Sequence, residues 1–161
     1  MSRRHVSDNI SENVAIGSSA TQSSILTEDW ANEGFLAHAI NAIDGNQDPD
    51  FFHGSCSHTH LEYAPWWRVD LLKPHKIYAI AITARNSHSE RLNGAEILIG
   101  NSLANYGNNN ERCAYISSIA AGVTQTFNCH GLVGRYVNIV IRGRQGILTL
   151  CEVQVFGHPE K

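Results

Sequence analysis

The chain reads as an all-β protein, a sandwich or jelly roll, and three features of its sequence predict this. Short apolar segments recur along it, separated by clusters of Gly, Asn and Ser such as Gly100-Asn101-Ser102 and Gly107-Asn108-Asn109-Asn110. The segments Arg135–Arg142 and Leu148–Phe156 alternate with a period of two and are rich in β-branched residues. Helical periodicity is weak everywhere.

Taken in order, Val14–Ile16 is a short strand candidate, followed by the one helical segment, Ala37 to Ile43, about two turns ending at Asp44-Gly45. Trp67–Leu72 is the next strand. Ile77–Thr83 is apolar on both faces and reads as a buried central strand. Ala95–Ile99, Ile116–Ile119 and Thr124–Cys129 follow. In Arg135–Arg142 the side chains of Val137, Ile139 and Ile141 share one face. In the last strand Cys151, Val153 and Val155 point inward, and Glu152 and Gln154 point outward. Many short strands with turns between them define a sandwich or jelly roll.

With 161 residues the chain is one domain, large enough to bury about two-thirds of its unfolded surface. Apolar residues make up 42% and charged residues 17%, which excludes disorder. The net charge of −3 gives no field to attract a polyanion, so nucleic acid is not an expected partner. No apolar run approaches the roughly 18–20 residues of a spanning helix, so no membrane insertion is expected.

Four cysteines, Cys56, Cys113, Cys129 and Cys151, contain no C-x-x-C pair and read as disulfides. Cys113 and Cys129 flank a hairpin-sized segment. Cys56 and Cys151 would tie an early loop to the last strand. Disulfides imply a secreted protein, yet the start Met1-Ser2-Arg3-Arg4 lacks an apolar stretch behind it and is no signal peptide as it stands. The sequon Asn9-Ile10-Ser11 is compatible with secretion.

Two regions could carry chemistry. Asn41 to Cys56 packs Asp and Asn oxygens onto a turn, as a hard cation requires, although a solvated Asx-rich loop has the same composition. His53, Cys56, His58 and His60 could be read as a zinc site, but Cys56 has a plausible disulfide partner and no second Cys/His pair stands at ligand spacing. Trp66 and Trp67 read as core and rim of the sandwich rather than a stacking platform for bases.

Five phrases carry a resemblance: Asn41-Ala-Ile-Asp-Gly-Asn46, Phe52-His-Gly-Ser-Cys56, Pro65-Trp-Trp-Arg-Val-Asp-Leu-Leu72, Gly94-Ala-Glu-Ile97 and Leu150-Cys-Glu-Val153. Together, and in this order, they resemble the F-type lectins, or fucolectins. The resemblance runs from about Asn13 to Phe156. It implies a jelly-roll β-sandwich related to discoidin and coagulation-factor C domains, spanning 13–157 with tails at 1–12 and 158–161. It also implies a structural calcium ion beside the sugar site, with Asn41, Asp44, Asn46, Ser55, the carbonyl of Cys151 and Glu152 as ligands.

The family's sugar motif is a His, an Arg 27 positions on, and a further basic residue. His58, Arg85 and Arg91 stand at those places. A guanidinium offers a rigid fork of donors to vicinal hydroxyls, so the three side chains could clamp the 3,4-diol of a galacto-configured sugar. Leu26, Trp30, Phe51 and Phe52 are candidates for an apolar wall, Phe51 equally a core residue.

This chain departs from the pattern in the loop Arg85-Asn86-Ser87-His88-Ser89-Glu90-Arg91. The family's Asp is Ser87 and its adjacent cysteine pair is absent, so the arginines need another anion, with Glu90 a candidate. His88 is new and could contact the sugar. The loop from Leu26 to Asn41 is longer than in the family's type member. D-galactose therefore competes with L-fucose as the expected ligand.

The resemblance implies a secreted, non-enzymatic lectin for terminal fucosyl or galactosyl glycans, forming homo-oligomers for avidity. A discoidin-like adhesion domain for protein or lipid is the alternative. A glycoside hydrolase would need a carboxylate pair about 5–10 Å apart, which the basic motif does not contain.

Overall fold

A computed structural model describes residues 12–27 and 36–161. Its strands are β1 (Ser19–Gln22), β2 (Ser57–His58), β3 (Glu62–Tyr63), β4 (Trp66–Thr83), β5 (Glu96–Gly100), β6 (Glu111–Tyr115), β7 (Thr124–Val140), β8 (Gln145–Gly146), β9 (Thr149–Leu150) and β10 (Glu152–Pro159). Among the described residues helical structure is confined to short 3₁₀ turns, and no helix is long and apolar enough to cross a membrane.

The strand pairs are antiparallel, as an all-β sandwich requires. β4 is the organising strand. β7 runs along one of its edges for nearly its whole length, and the other edge is shared: β1 covers Trp67 to Asp70, and β10 covers His75 to Thr83. β5 and then β6 extend the sheet beyond the second half of β7. The register breaks between Asp70 and His75, where Leu72 takes a positive φ of 75° and Pro74 can give no ladder hydrogen bond. The segments expected at Trp67–Leu72 and Ile77–Thr83 are thus one strand, as are those at Thr124–Cys129 and Arg135–Arg142.

Val14–Ile16 is a turn rather than a strand, joined to the sheet at the adjacent Asn13–Phe156 bridge, with Ala15 buried in the core. There the Asn13 side-chain oxygen accepts from Val155 N at 3.0 Å, and Val14 N donates to Val155 O at 2.8 Å. Ile116–Ile119 is also not a strand, although Ile116 and Ile119 are buried in the core. The helical segment is a 3₁₀ turn, Ala39–Ile43, which lays Ala39, Ala42 and Ile43 against the core. β10 continues through His158 and Pro159, opposite Lys76 and His75, two residues beyond the expected boundary at 157. At its bulge Gly157 is obligatory, because a Cβ there would collide with the Lys76 carbonyl.

Alternate residues of the long strands fill the core: Trp67, Val69, Ile80, Ile82, Ile97, Ile99, Ile139, Val153 and Val155 are all buried. Each large apolar side chain contributes about 1.5–3 kcal/mol of transfer free energy. Trp67 Nε1 donates to Ala39 O at 3.0 Å, so the core tryptophan also anchors the 3₁₀ turn. A smaller cluster, Leu26, Leu36, Ala37, Phe51, Cys56 and Cys151, lies apart from the main core. The disulfides are Cys56–Cys151 and Cys113–Cys129, which removes Cys56 from any zinc site. Among the described residues no group of three or more His, Cys, Asp or Glu is placed to hold a metal.

Candidate sugar-binding cleft and the turn beside it

Residues far apart in the sequence converge on one cleft of about 520 Å³, lined by Leu26, Phe52, His58, Arg85, His88, Arg91 and Ile147. His58 sits on β2, opposite Thr149 of β9, and its backbone is bonded on both sides: its N–H to Ala37 O and its carbonyl to Leu26 N. Arg85 follows the end of β4. Its carbonyl accepts from Gly122 N and the next amide, Asn86, donates to Pro49 O, so the residue is held between two loops. Arg91 lies on the 3₁₀ turn Ser89–Leu92, which buried Leu92 pins to the core. Phe52 lies on the turn Phe51–His53, whose N-terminus is capped by the Asp50 carboxylate accepting from Phe52 N at 2.9 Å.

Phe51 and Phe52 divide the roles that the sequence left open. Phe51 is fully buried and belongs to the small core cluster, whereas Phe52 is 57% exposed on the cleft wall. The Arg85 guanidinium lies 4.9 Å from the Phe51 ring and 5.9 Å from that of Phe52. The His58 ring is 5.0 Å from Phe51. Trp30 falls outside the described residues. Ile147 is a wall residue that sequence reasoning missed; the β2–β9 pairing places it two residues from the partner of His58.

Burial pushes the His58 pKa down to about 4, and Arg91 and Arg85 add to this, against a hydrogen bond with Thr59 O that opposes it. The imidazole is therefore neutral at pH 7. With Nδ1 2.7 Å from Thr59 O, Nδ1 carries the proton and donates, leaving Nε2 as an acceptor 3.4 Å from Arg91 Nη1. Burial also lowers the pKa of both Arg85 and Arg91, though a guanidinium stays charged. Among the described residues neither arginine has a carboxylate at ion-pair distance. Asp50 acts on Arg85 and Glu90 on Arg91 only through space. The Nε of Arg85 is buried without a hydrogen-bond partner. A buried arginine kept for structure alone would be paired, because an unpaired one is costly. The cleft thus offers one aromatic wall, one neutral acceptor and two forks of donors, with no carboxylate among its lining residues.

Beside the cleft lies the turn expected to hold calcium. Glu152, expected on the outward face, is fully buried, because the Asp44-Gly45 turn covers that side of β10 and Gly45 N donates to Glu152 Oε2 at 3.0 Å. Burial, then the neighbouring Asp44 carboxylate, raises the Glu152 pKa to about 8. Its other oxygen, Oε1, is buried with no hydrogen-bond partner. Asn41 Nδ2 donates to Cys56 O at 3.3 Å, and the Cys56–Cys151 bridge joins Ser55 and Cys151 to the same corner. Asn46 is exposed, its side-chain oxygen accepting from Asp48 N. Two adjacent carboxylates with an orphaned buried oxygen fit a hard cation, whose charge would offset their repulsion.

A family model described as a NedA-like, galactose-binding domain matches residues 41–139. Fucolectin-4 of Anguilla japonica is 49% identical over 154 residues, covering 94% of this chain and 83% of that protein. The chain belongs to the F-type lectin family. The crystal structure of an F-lectin from striped bass (Morone saxatilis) serum superposes with a TM-score of 0.87 at 49% identity. That match covers 93% of this chain and 48% of the bass protein, so this chain spans about half of its length. A Streptococcus pneumoniae fucose binding module, SpX-3, matches with a TM-score of 0.73 at 27% identity, over 90% of this chain and 97% of that one. The fucolectins and the F-lectin are lectins and not enzymes, and the jelly-roll sandwich implied by the resemblance is the fold shared with them and with the fucose binding module.

Proposed function

We propose that this F-type lectin binds a terminal galacto-configured sugar, L-fucose foremost and D-galactose as competitor, in the cleft of His58, Arg85 and Arg91. One observation carries the reading: a neutral histidine whose bare Nε2 lies beside two guanidinium groups that have no anion of their own. Vicinal hydroxyls complement this set, since each can accept from an arginine while one donates to Nε2. Phe52, Leu26 and Ile147 supply an apolar wall for the sugar's C–H face, with His88 at the rim. The relatives favour fucose: fucolectins in Anguilla japonica and a fucose binding module in S. pneumoniae. The missing Asp and cysteine pair keep galactose in contention.

A structural calcium, with Asn41, Asp44, Asn46, Ser55, the Cys151 carbonyl and Glu152 as ligands, would neutralise the Asp44–Glu152 pair and stiffen the floor beside the cleft. Two disulfides call for an oxidising compartment, in line with a secreted protein and with a relative obtained from serum. A single shallow cleft binds weakly, which argues for a homo-oligomer.

The test is calorimetric titration with methyl α-L-fucopyranoside and methyl β-D-galactopyranoside in calcium, for wild type and Arg85→Ala. Saturable binding of either glycoside, lost in Arg85→Ala, is expected. Binding of neither would overturn the reading and favour an adhesion module.

A further inference from the structure

A second groove, of about 590 Å³, shares no lining residue with the His58 cleft. It lies between β3 and the loop of residues 105–108, and its surface is aromatic: Tyr63 is 64% and Tyr106 62% exposed. Tyr106 stacks on Trp66, with centroids 5.3 Å apart and planes 20° from parallel, and the Arg68 guanidinium lies 5.1 Å from the same indole.

The loop that presents Tyr106 is held in an unusual shape. Asn105 (φ 52°, ψ 43°) and Tyr106 (φ 61°, ψ 16°) are consecutive non-glycine residues in the left-handed region. Such strain persists only where the surroundings over-determine it. Here Arg68 Nη1 donates to Tyr106 O at 2.6 Å and buried Asn138 Nδ2 donates to the same oxygen at 2.9 Å. Asn138 Nδ2 also reaches Asn108 Oδ1, and Arg142 Nη2 donates to Asn108 O, both at 2.9 Å. Gly107, φ 94°, packs so closely on Asn138 that a Cβ would come within 2.8 Å of its side-chain oxygen. The exposed ring is therefore rigid before any ligand arrives, which lowers the entropic cost of binding.

Polar groups with unused capacity flank the ring. The Oε2 of Glu62 is occupied by the hydroxyls of Ser23 and Ser24, which leaves Oε1 as an acceptor. Arg142 uses Nε on Glu96 and Nη2 on Asn108, which leaves Nη1 as a donor. One acidic and one basic group give the groove no net preference for a charged ligand.

We propose that this groove is a second sugar site, which takes a neutral pyranosyl residue with an all-equatorial ring, of the β-glucosyl type. Such a ring presents flat C–H faces that stack on Tyr106, and its peripheral hydroxyls meet Glu62 Oε1 and Arg142 Nη1. The axial hydroxyl that suits the His58 cleft is absent from it, so the two sites divide their ligands. The site is independent of the reading given for the His58 cleft.

The test is titration of the ¹⁵N-labelled 161-residue chain with methyl β-D-glucopyranoside, followed by amide shifts. Saturable shifts are expected at Tyr63, Asn105, Tyr106 and Gly143, and they persist in Arg85→Ala, where the first cleft is disabled. Tyr106→Gly removes the ring while glycine keeps the left-handed backbone; there the affinity falls at least about ten-fold, with spectra elsewhere unchanged. Absent shifts, shifts confined to the His58 cleft, or an affinity unaltered by Tyr106→Gly would each overturn the proposal. A parallel titration of wild type with methyl α-L-fucopyranoside reads the first cleft alone, so failure of one site is distinguishable from failure of the other.

Discussion

The guanidinium of Arg85 lies over the buried ring of Phe51, with Cζ 4.9 Å from its centroid. The same ring meets His58, so one apolar side chain beneath the cleft seats two of the three polar groups above it. Phe51→Leu keeps an apolar core residue and is expected to cost less than about 1.5 kcal/mol of stability. It removes the π face under Arg85, and fucoside affinity falls about ten-fold. Phe51→Ala costs about 3–5 kcal/mol. Urea unfolding beside calorimetric titration separates the two effects; unchanged affinity in Phe51→Leu would show that Arg85 is held by other means.

His58 makes the lectin acid-sensitive in a defined window. The unfolded chain protonates this histidine near 6.5 and the folded chain only near 4. Between those values the unfolded state binds more protons, so stability falls as pH falls, by up to about 3 kcal/mol at pH 4. Above pH 6.5 His58 contributes no pH dependence. On the proposed binding mode Nε2 must be bare to accept from the sugar, so binding is expected to survive to about pH 5 and to be lost as pH drops through 4. A binding curve with its midpoint at 6.5 would contradict the neutral, buried histidine.

Glu152→Gln should have opposite effects with and without calcium. In chelator the substitution removes a carboxylate buried beside Asp44 with an orphaned oxygen, so the melting temperature rises. On the proposed calcium ligation the wild type gains stability by mass action in excess metal, about 2.7 kcal/mol at a hundred times the dissociation constant, and the variant gains much less. The two melting temperatures therefore change order on adding the metal. Equal calcium responses in both proteins would remove Glu152 from the ligand set.

The two disulfides should separate stability from binding. Their loops close at sequence separations of 16 and 95, contributing about 3 and about 4.7 kcal/mol in the chain-entropy model. Replacing Cys113 and Cys129 by Ala lowers stability and leaves fucoside affinity near that of the wild type. Replacing Cys56 and Cys151 opens the small core cluster two residues from His58, and affinity falls with stability. Denaturation and titration of both double variants decide the point.

What could be read from the sequence follows from where each signal originates. The central strands were legible because burial on one or both faces imposes alternation or a continuous apolar run. β1, Ser-Ala-Thr-Gln, and β6, Glu-Arg-Cys-Ala-Tyr, were not, because backbone pairing makes them strands while their side chains are largely solvated. Ile116–Ile119 shows the converse: its apolar residues fill the core from an irregular segment. His58, Arg85 and Arg91 were legible only as a spaced motif. The position of Glu152 was not, since a turn more than a hundred residues away covers it. The Tyr106 groove left no trace in periodicity, because it depends on backbone angles and on side chains from four separate segments.

The Asn13–Phe156 bridge ties the first described residues to the last strand, and Phe156 lies five residues, about 17 Å, along β10 from the Cys151 corner. The last strand thus latches the first described segment onto the sheet, as a buckle holds the free end of a belt.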